Sequence, residues 1–415
     1  MKSLFEIQAE AKKDPALAAG EILKFLEKKF PDLNAKKVKI NQSTVSLNSV
    51  NGFIETESSK KFFFKFHAEE GEEISMDEYY NSQILEESGL PIISPIFKST
   101  NPGEQFLIYE KIEVPTFFDV LEEQDALFLE KGHYDEEKRN KILEAEVKLC
   151  QKVFSVYKKT LHLASSDDLE KESINQLFFR RLHQEKETPR VSLFYENKDL
   201  ELPRGEKINT EDLKDMKWII NREKMDDSLN DLIEKAIKIL NPLASDKSPA
   251  VTGHGDDHNG NKFAFETREG IELKFFDPAF AGLHQHALLS FIKSTFHDVF
   301  AHPFWLYDSP KVKPKLNYEI KNKEVHLDFD WGFAEKAPIR KEILDIKIKE
   351  VWQPLISLLK EKDLLSGNYL EYTRLALFCC PFLVFNLTDP GKYPEEKSLL
   401  ALAKALEIGN RGMGG

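Results

Sequence analysis

Residues 254–261, His-Gly-Asp-Asp-His-Asn-Gly-Asn, are followed sixteen positions later by Asp277. This puts two carboxylates and a carboxamide, Asp256, Asp277 and Asn261, at a spacing suited to phosphoryl transfer. That reaction is mostly positioning and charge neutralisation. It needs a cation on the phosphates, Mg²⁺ held by hard oxygen ligands, and an oriented nucleophile. The residues between Asn261 and Asp277 read as a hairpin: 262–266 alternate, Thr267 to Gly270 form a turn, and Ile271 to Phe276 run back. Such a hairpin returns its end to its start, so Asn261 and Asp277 are expected to face one another across Mg²⁺. Asp256, on the same loop, is then placed to orient an acceptor hydroxyl and take its proton.

The elements that must hold these groups follow from the rest of the chain. Its 415 residues exceed one small core and suggest two lobes. A helix is expected after Asp14 and Pro15, with Ala18, Ile22, Phe25, Leu26 and Phe30 on one face until Pro31. Strands follow: Phe53 to Glu57, Lys61 to His67 carrying Lys65, and Phe106 to Ile112, with 46–52 a small, polar loop. Ser75 to Glu87 reads as a helix. From about residue 120 the pattern is mainly helical, with Glu136 to Ala164 the longest segment, apart from the hairpin and an irregular stretch at about 186–210. There is no internal repeat or low-complexity tract. The expectation is an α+β protein with a small β-rich lobe, a large helical lobe and a cleft between them.

Composition narrows the function classes. A formal charge of −13 argues against nucleic acid or an anionic membrane surface as partner. It leaves ATP open, because one lysine and Mg²⁺ can handle the phosphates. Cys150, Cys379 and Cys380 form neither a disulfide framework nor a zinc spacing, which suits a reducing compartment. The N-terminal residues carry acids where a signal peptide needs an apolar run. The longest apolar run, Leu375 to Phe385, is too short to span a bilayer and reads as broken at Pro381. A soluble, cytoplasmic protein is expected.

From about residue 40 to about 300 the chain resembles the aminoglycoside phosphotransferase group of kinase-like enzymes, which includes choline, fructosamine and methylthioribose kinases. The resemblance implies the two-lobed protein-kinase-like fold, with 1–36 a helical extension, 37–113 a nucleotide-binding lobe and 114–415 a helical lobe. It makes Asp256 the catalytic aspartate of a loop at 254–261, and Asn261 and Asp277 the metal ligands, with Asp277 opening a metal loop at 277–282. Phe276-Asp277-Pro278-Ala279 is similar to the Asp-Pro-Ala of ketosamine kinases. Phe62 to Phe66 looks like the strand bearing the ATP-binding lysine, Lys65. Asp77-Glu78-Tyr79 followed by Gly89-Leu90-Pro91 resembles the helix whose glutamate, Glu78, pairs with it. Leu107 to Ile112 looks like the hinge strand, with Glu110 and Ile112 near adenine. Ser46, Asn48 and Gly52 would lie over the phosphates, backbone N–H groups inward.

Bland readings compete with each of these. Asp and Asn often only cap turns. Ser75-Met-Asp-Glu78 is also a capping box, and the 46–52 loop is also a β-turn. Six histidines between His254 and His302 raise a metal hydrolase. Gly255 and Gly260 make a helix presenting His254 and His258 on one face unfavourable, and the spacing matches no common zinc motif. His254 reads as a structural support and His258 as a neighbour of the substrate. After Gly282 the chain departs from its relatives, and the stretch Ala301 to Tyr307 matches no substrate group, so the acceptor stays open. The reading is an ATP- and Mg²⁺-dependent kinase of a small-molecule hydroxyl, that of a sugar, an amino sugar or a related metabolite. The alternatives are a nucleotide-binding pseudokinase acting through protein contacts, a protein kinase, and a metal-dependent hydrolase.

Overall fold

The computed structural model describes all residues except 1, 12, 42–49, 67–80, 100, 102, 184–188, 279, 301–314, 331–335, 392, 394 and 413–415. The helix Pro15–Lys29 starts where its cap requires: the Asp14 carboxylate accepts from the N–H groups of Ala16 and Leu17, and Pro15 opens the first turn. Its buried face is Ala18, Ile22, Phe25 and Leu26. Together with the helix Leu4–Ala11 it packs against a five-stranded antiparallel sheet. The strands lie in the order Ala35–Ile40, Val50–Thr56, Lys61–Phe66, Phe106–Glu110, Phe97–Ser99. Phe64, Phe66 and Phe106 are fully buried, and the rings of Phe25, Phe64 and Phe66 each stand 5.3 Å from that of Phe106. Because strand side chains alternate, burying Phe64 and Phe66 in this core turns Lys65 to the opposite face, which looks into the cleft.

Gly52 corrects the expected loop. It lies inside the second strand, paired with Ile40 and Phe64, and a Cβ there would come within 2.2 Å of the Lys39 carbonyl oxygen. Close strand packing thus accounts for the glycine. Ser46, Asn48 and Glu78 lie outside the described residues, as does the Ala301 to Tyr307 stretch. Of the expected helix at 75–87, the described part is Ser82–Ser88.

A short linker past Glu110 leads to Thr116, whose hydroxyl forms a capping box with Asp119 and starts the helix Phe117–Lys131. Asp135 caps the next, Glu136–Thr160. These helices share one large core with Tyr369–Val384 and Glu395–Arg411. Pro381 does not break Tyr369–Val384: Leu375 to Leu383 is buried throughout, and packing on all sides outweighs the lost N–H.

The large lobe also holds more sheet than the helical pattern suggested. One sheet joins His162–Ser165, Lys247–Gly253 and Gly282–His286. Another joins Glu223–Lys224, Lys217–Ile220, Glu324–Asp330 and Lys315–Lys321. The stretch at 186–210 contains the helix Arg190–Tyr195 and a small hairpin, Asp199–Glu201 with Lys207–Asn209. No described helix is long and apolar enough to cross a membrane.

Candidate active site

The strand Lys247–Gly253 ends at the cleft and delivers His254 to Asn261. Gly255 has φ +73°, and a Cβ there would stand 2.2 Å from the Phe280 carbonyl oxygen, so this turn admits only glycine. Gln285 ties the loop to the segment after Asp277: its Nε2 donates to Gly253 O at 3.0 Å and to Phe280 O at 2.6 Å. Ser290 Oγ donates to Gln285 Oε1 at 2.7 Å and so fixes that carboxamide.

His254 is buried and works on the backbone. Its Nε2–H donates to Phe276 O at 3.0 Å, and its Nδ1 accepts from Asp256 N–H at 3.3 Å. These two bonds need the neutral imidazole, and burial lowers the His254 pKa in that direction. His258 Nδ1 accepts from Gly260 N–H at 3.1 Å and caps the turn Asn259–Asn261. Both histidines therefore spend ring nitrogens on the loop, and among the described residues no three His, Cys, Asp or Glu side chains converge as metal ligands.

The Asp256 carboxylate lies 2.8 Å from Lys293 Nζ and 3.9 Å from His258 Nε2. Lys293 comes from the helix Leu289–Thr295, is nearly buried, and sits 3.8 Å from the centre of the Phe280 ring. Burial alone would raise the Asp256 carboxyl. The Lys293 ammonium, then His258, outweigh it and hold the group well below the ordinary carboxylate range.

The hairpin forms from Lys262–Thr267 and Gly270–Phe275, with Lys262 opposite Phe275. Beyond that rung the Phe276 N–H donates to Asn261 O at 3.0 Å. Asn261 thus stands one residue from Asp277 across the hairpin base. Its Nδ2 donates to Asp256 O at 2.8 Å. Asp277, at φ +55°, places Oδ1 2.6 Å from Lys65 Nζ. That contact joins the small-lobe strand to the large lobe across the cleft. Glu110, exposed at the end of its strand opposite Phe62, and Ile112 lie on the linker between the lobes.

Beneath the loop is a group of buried charges with no local sequence signature. Lys262 Nζ donates to Asn259 Oδ1 at 2.9 Å and to Asp298 Oδ2 at 3.2 Å. Lys347 Nζ lies 3.0 Å from Asp298 Oδ2 and 3.1 Å from Glu146 Oε1. Asp298 Oδ1 accepts from Asn259 N–H at 2.5 Å, which clamps the loop backbone. Lys293, Lys262, Asp298 and Gln285 are the residues around the loop that motif reasoning did not single out.

No family model and no curated protein matches the chain. Among solved structures it is similar to an amicoumacin kinase in complex with AMP-PNP and Ca²⁺, at 13% identity and TM-score 0.47 over 97% of this chain and 96% of that one. It is also similar to a type I macrolide 2'-phosphotransferase (10%, 0.42, 93% and 96%) and to a glucosamine kinase (9%, 0.41, 92% and 95%). In its own topology, an antiparallel five-stranded lobe joined by a short linker to a helical lobe bearing the 254–261 loop and Asp277, the chain has the two-lobed protein-kinase-like fold.

Proposed function

We propose that the protein is a small-molecule kinase that transfers the γ-phosphoryl group of ATP to a hydroxyl. The observation that carries this reading is the meeting of Lys65 and Asp277 across the cleft, with Asn261 and Asp256 on the adjoining loop. Lys65, on a strand with little positional freedom, holds the α- and β-phosphates. Asn261 gives its nitrogen to the loop backbone, which leaves its oxygen for a cation, and Asp277 adds carboxylate oxygens. Hard oxygen donors of this kind fit Mg²⁺. Bound there, Mg²⁺ would neutralise charge on the transferring group.

Asp256 orients the acceptor. The hydroxyl oxygen forms a bond to the γ-phosphorus while the bond from that phosphorus to the β–γ bridging oxygen breaks. The electron pair of the broken bond leaves with ADP, and the hydroxyl proton passes to Asp256. A carboxylate held this acidic by Lys293 is a weak base. It suffices because, in a loose transition state, the nucleophile gives up its proton late. Screening a metabolite library for acceptor-dependent ADP release, with Asp256→Asn as control, tests the reading. An acceptor that the wild type turns over and Asp256→Asn does not supports it. ATP turnover that is slow, independent of acceptor and unchanged in Asp256→Asn favours a pseudokinase instead.

A further inference from the structure

The hydrogen bonds of the 254–261 loop fix the backbone of Asp256 and leave its side chain to other groups. Its N–H donates to His254 Nδ1 at 3.3 Å, and its carbonyl accepts from Asn261 Nδ2 at 2.8 Å. Neither bond reaches the carboxylate, which keeps two side-chain torsions of its own. Two groups approach that carboxylate, and both come to the same oxygen. Lys293 Nζ is 2.8 Å from Oδ1, and His258 Nε2 is 3.9 Å from it. Only the first is a close charged contact. The other oxygen, Oδ2, accepts no hydrogen bond among the described residues, and it is not one of the unpartnered oxygens sealed from solvent. With the Asp256 side chain 20% exposed, Oδ2 is the oxygen open to the cleft.

Lys293 is itself held firmly. Every residue of its helix, Leu289–Thr295, is buried, and the face of the Phe280 ring lies 3.8 Å from its ammonium. Ser290 stands three residues earlier, so it shares the helix face that carries Lys293. Its Oγ holds the Gln285 carboxamide, which in turn donates to Gly253 O and Phe280 O. One face of one helix therefore fixes the strand end before the loop, the Phe280 segment and one oxygen of Asp256. A lysine side chain only 8% exposed has little room to swing out to water, and a buried ammonium without an anion is costly. A pair built for stability alone would bury and engage both carboxylate oxygens. This one engages one oxygen and leaves the other open.

We propose that Lys293 is a positioning residue for phosphoryl transfer: it ties down Oδ1 of Asp256, so that Oδ2 alone faces the acceptor hydroxyl. This rests on the phosphotransferase reading. The hydroxyl donates its hydrogen to Oδ2, which turns an oxygen lone pair toward the γ-phosphorus. As the bond from that oxygen to phosphorus forms, the bond to the β–γ bridging oxygen breaks. Its electron pair leaves with ADP, and the hydroxyl proton passes to Oδ2. Lys293 keeps its own proton and its contact with Oδ1 throughout. A carboxylate released from Lys293 rotates and holds the nucleophile in line for only part of the time. Misplacing a reacting group by about 1 Å costs on the order of a hundredfold in rate. The lysine assigned to the nucleotide, Lys65, comes from the small-lobe sheet, so loss of Lys293 leaves ATP binding in place.

The test compares wild type, Lys293→Met, Lys293→Arg, Asp256→Asn and the double variant Asp256→Asn/Lys293→Met. ADP release from Mg·ATP is measured with water as the acceptor and with any alcohol that raises the rate. The expected result is a kcat at least about tenfold lower in Lys293→Met, a KM for ATP within about twofold, and part of the loss recovered in Lys293→Arg. In the Asp256→Asn background, Lys293→Met lowers kcat by no more than about twofold further, because its effect passes through that carboxylate. Crystal structures of wild type and Lys293→Met supply a readout without turnover: Oδ1 on Lys293 in the first, the carboxylate turned in the second. Where Lys293→Met does not fold, Lys293→Gln carries the same comparison. A Lys293→Met kcat within about twofold of wild type, an equal proportional loss in the Asp256→Asn background, or an unmoved carboxylate overturns the role. If the wild type releases no ADP with any acceptor, water included, the phosphotransferase reading fails and takes this role with it. Normal wild-type turnover with an indifferent Lys293→Met sinks the positioning role alone.

Discussion

Replacing Lys262 with methionine tests whether the 254–261 loop rests on buried charge. Four groups pair directly, Lys262 and Lys347 against Asp298 and Glu146, and the buried Asp257 also acts on Lys347. Burial would raise both carboxyls, but Lys262 and Lys347 hold them below their ordinary values. Methionine fills a similar volume and removes one cation, which leaves one carboxylate uncompensated in a site where Lys262 and Asp298 side chains are 1% and 0% exposed. Breaking a buried pair in this way costs about 3–5 kcal/mol. That is a large part of the roughly 5–15 kcal/mol that holds a typical domain. The assay is urea unfolding followed by tryptophan fluorescence, on Lys262→Met, Asp298→Asn and the double variant. The double variant restores balance between Lys347 and Glu146. Its loss should therefore be smaller than the sum of the single losses by about 1–3 kcal/mol. A loss below about 1 kcal/mol for Lys262→Met, or single losses that add to within about 0.5 kcal/mol, would refute the reasoning.

Gly255→Ala should destabilise the protein by about 1–2 kcal/mol from the left-handed backbone alone. The clash with Phe280 O adds to this and displaces Asp256, so acceptor turnover should fall at least about tenfold; unchanged melting and turnover would contradict the loop geometry. Stability should also fall as pH drops below about 6.5. Burial depresses His254, moves His286 to about 4 and, with His258 adding to it, moves His297 to about 3. Between those values and the unfolded one, the unfolded chain binds more protons, so each histidine contributes a slope of up to about 1.4 kcal/mol per pH unit. The paired carboxylates, with folded values depressed, keep their contribution until below about pH 4. Urea midpoints at several pH values between neutrality and pH 5 check the sign. His286→Phe, which can keep the stacking on Tyr372, should flatten the dependence, and a wild type equally stable throughout would show that the histidines are not held neutral.

What could be read from the sequence was chemistry carried by local spacing. The cap at Asp14, the alternation that hides Phe64 and Phe66 and turns Lys65 away, and the hairpin that brings Asn261 beside Asp277 all depend on a few adjacent residues. Contacts made by the tertiary fold left no such trace. Lys293 meets Asp256 only because its helix packs behind the loop, and Lys262 and Asp298 look like ordinary surface charges until burial pairs them. The hairpin of Lys315–Lys321 with Glu324–Asp330 is legible in the local alternation. Both strands alternate, burying Tyr318, Val325, Leu327 and Phe329, and Asn322 and Lys323 turn at φ 53° and 61°. Pro381 and Gly52 misled for one reason: each reads as a local breaker, and close packing overrides both.

The central claim, that the cleft between Lys65 and Asp277 binds Mg·ATP, is tested most directly by calorimetric titration of ATP into wild type and Asp277→Ala, with and without Mg²⁺. Binding to wild type that depends on Mg²⁺, and weakens at least about tenfold in Asp277→Ala, is the expected result. No binding to wild type, or binding equal in both proteins and indifferent to Mg²⁺, would contradict it.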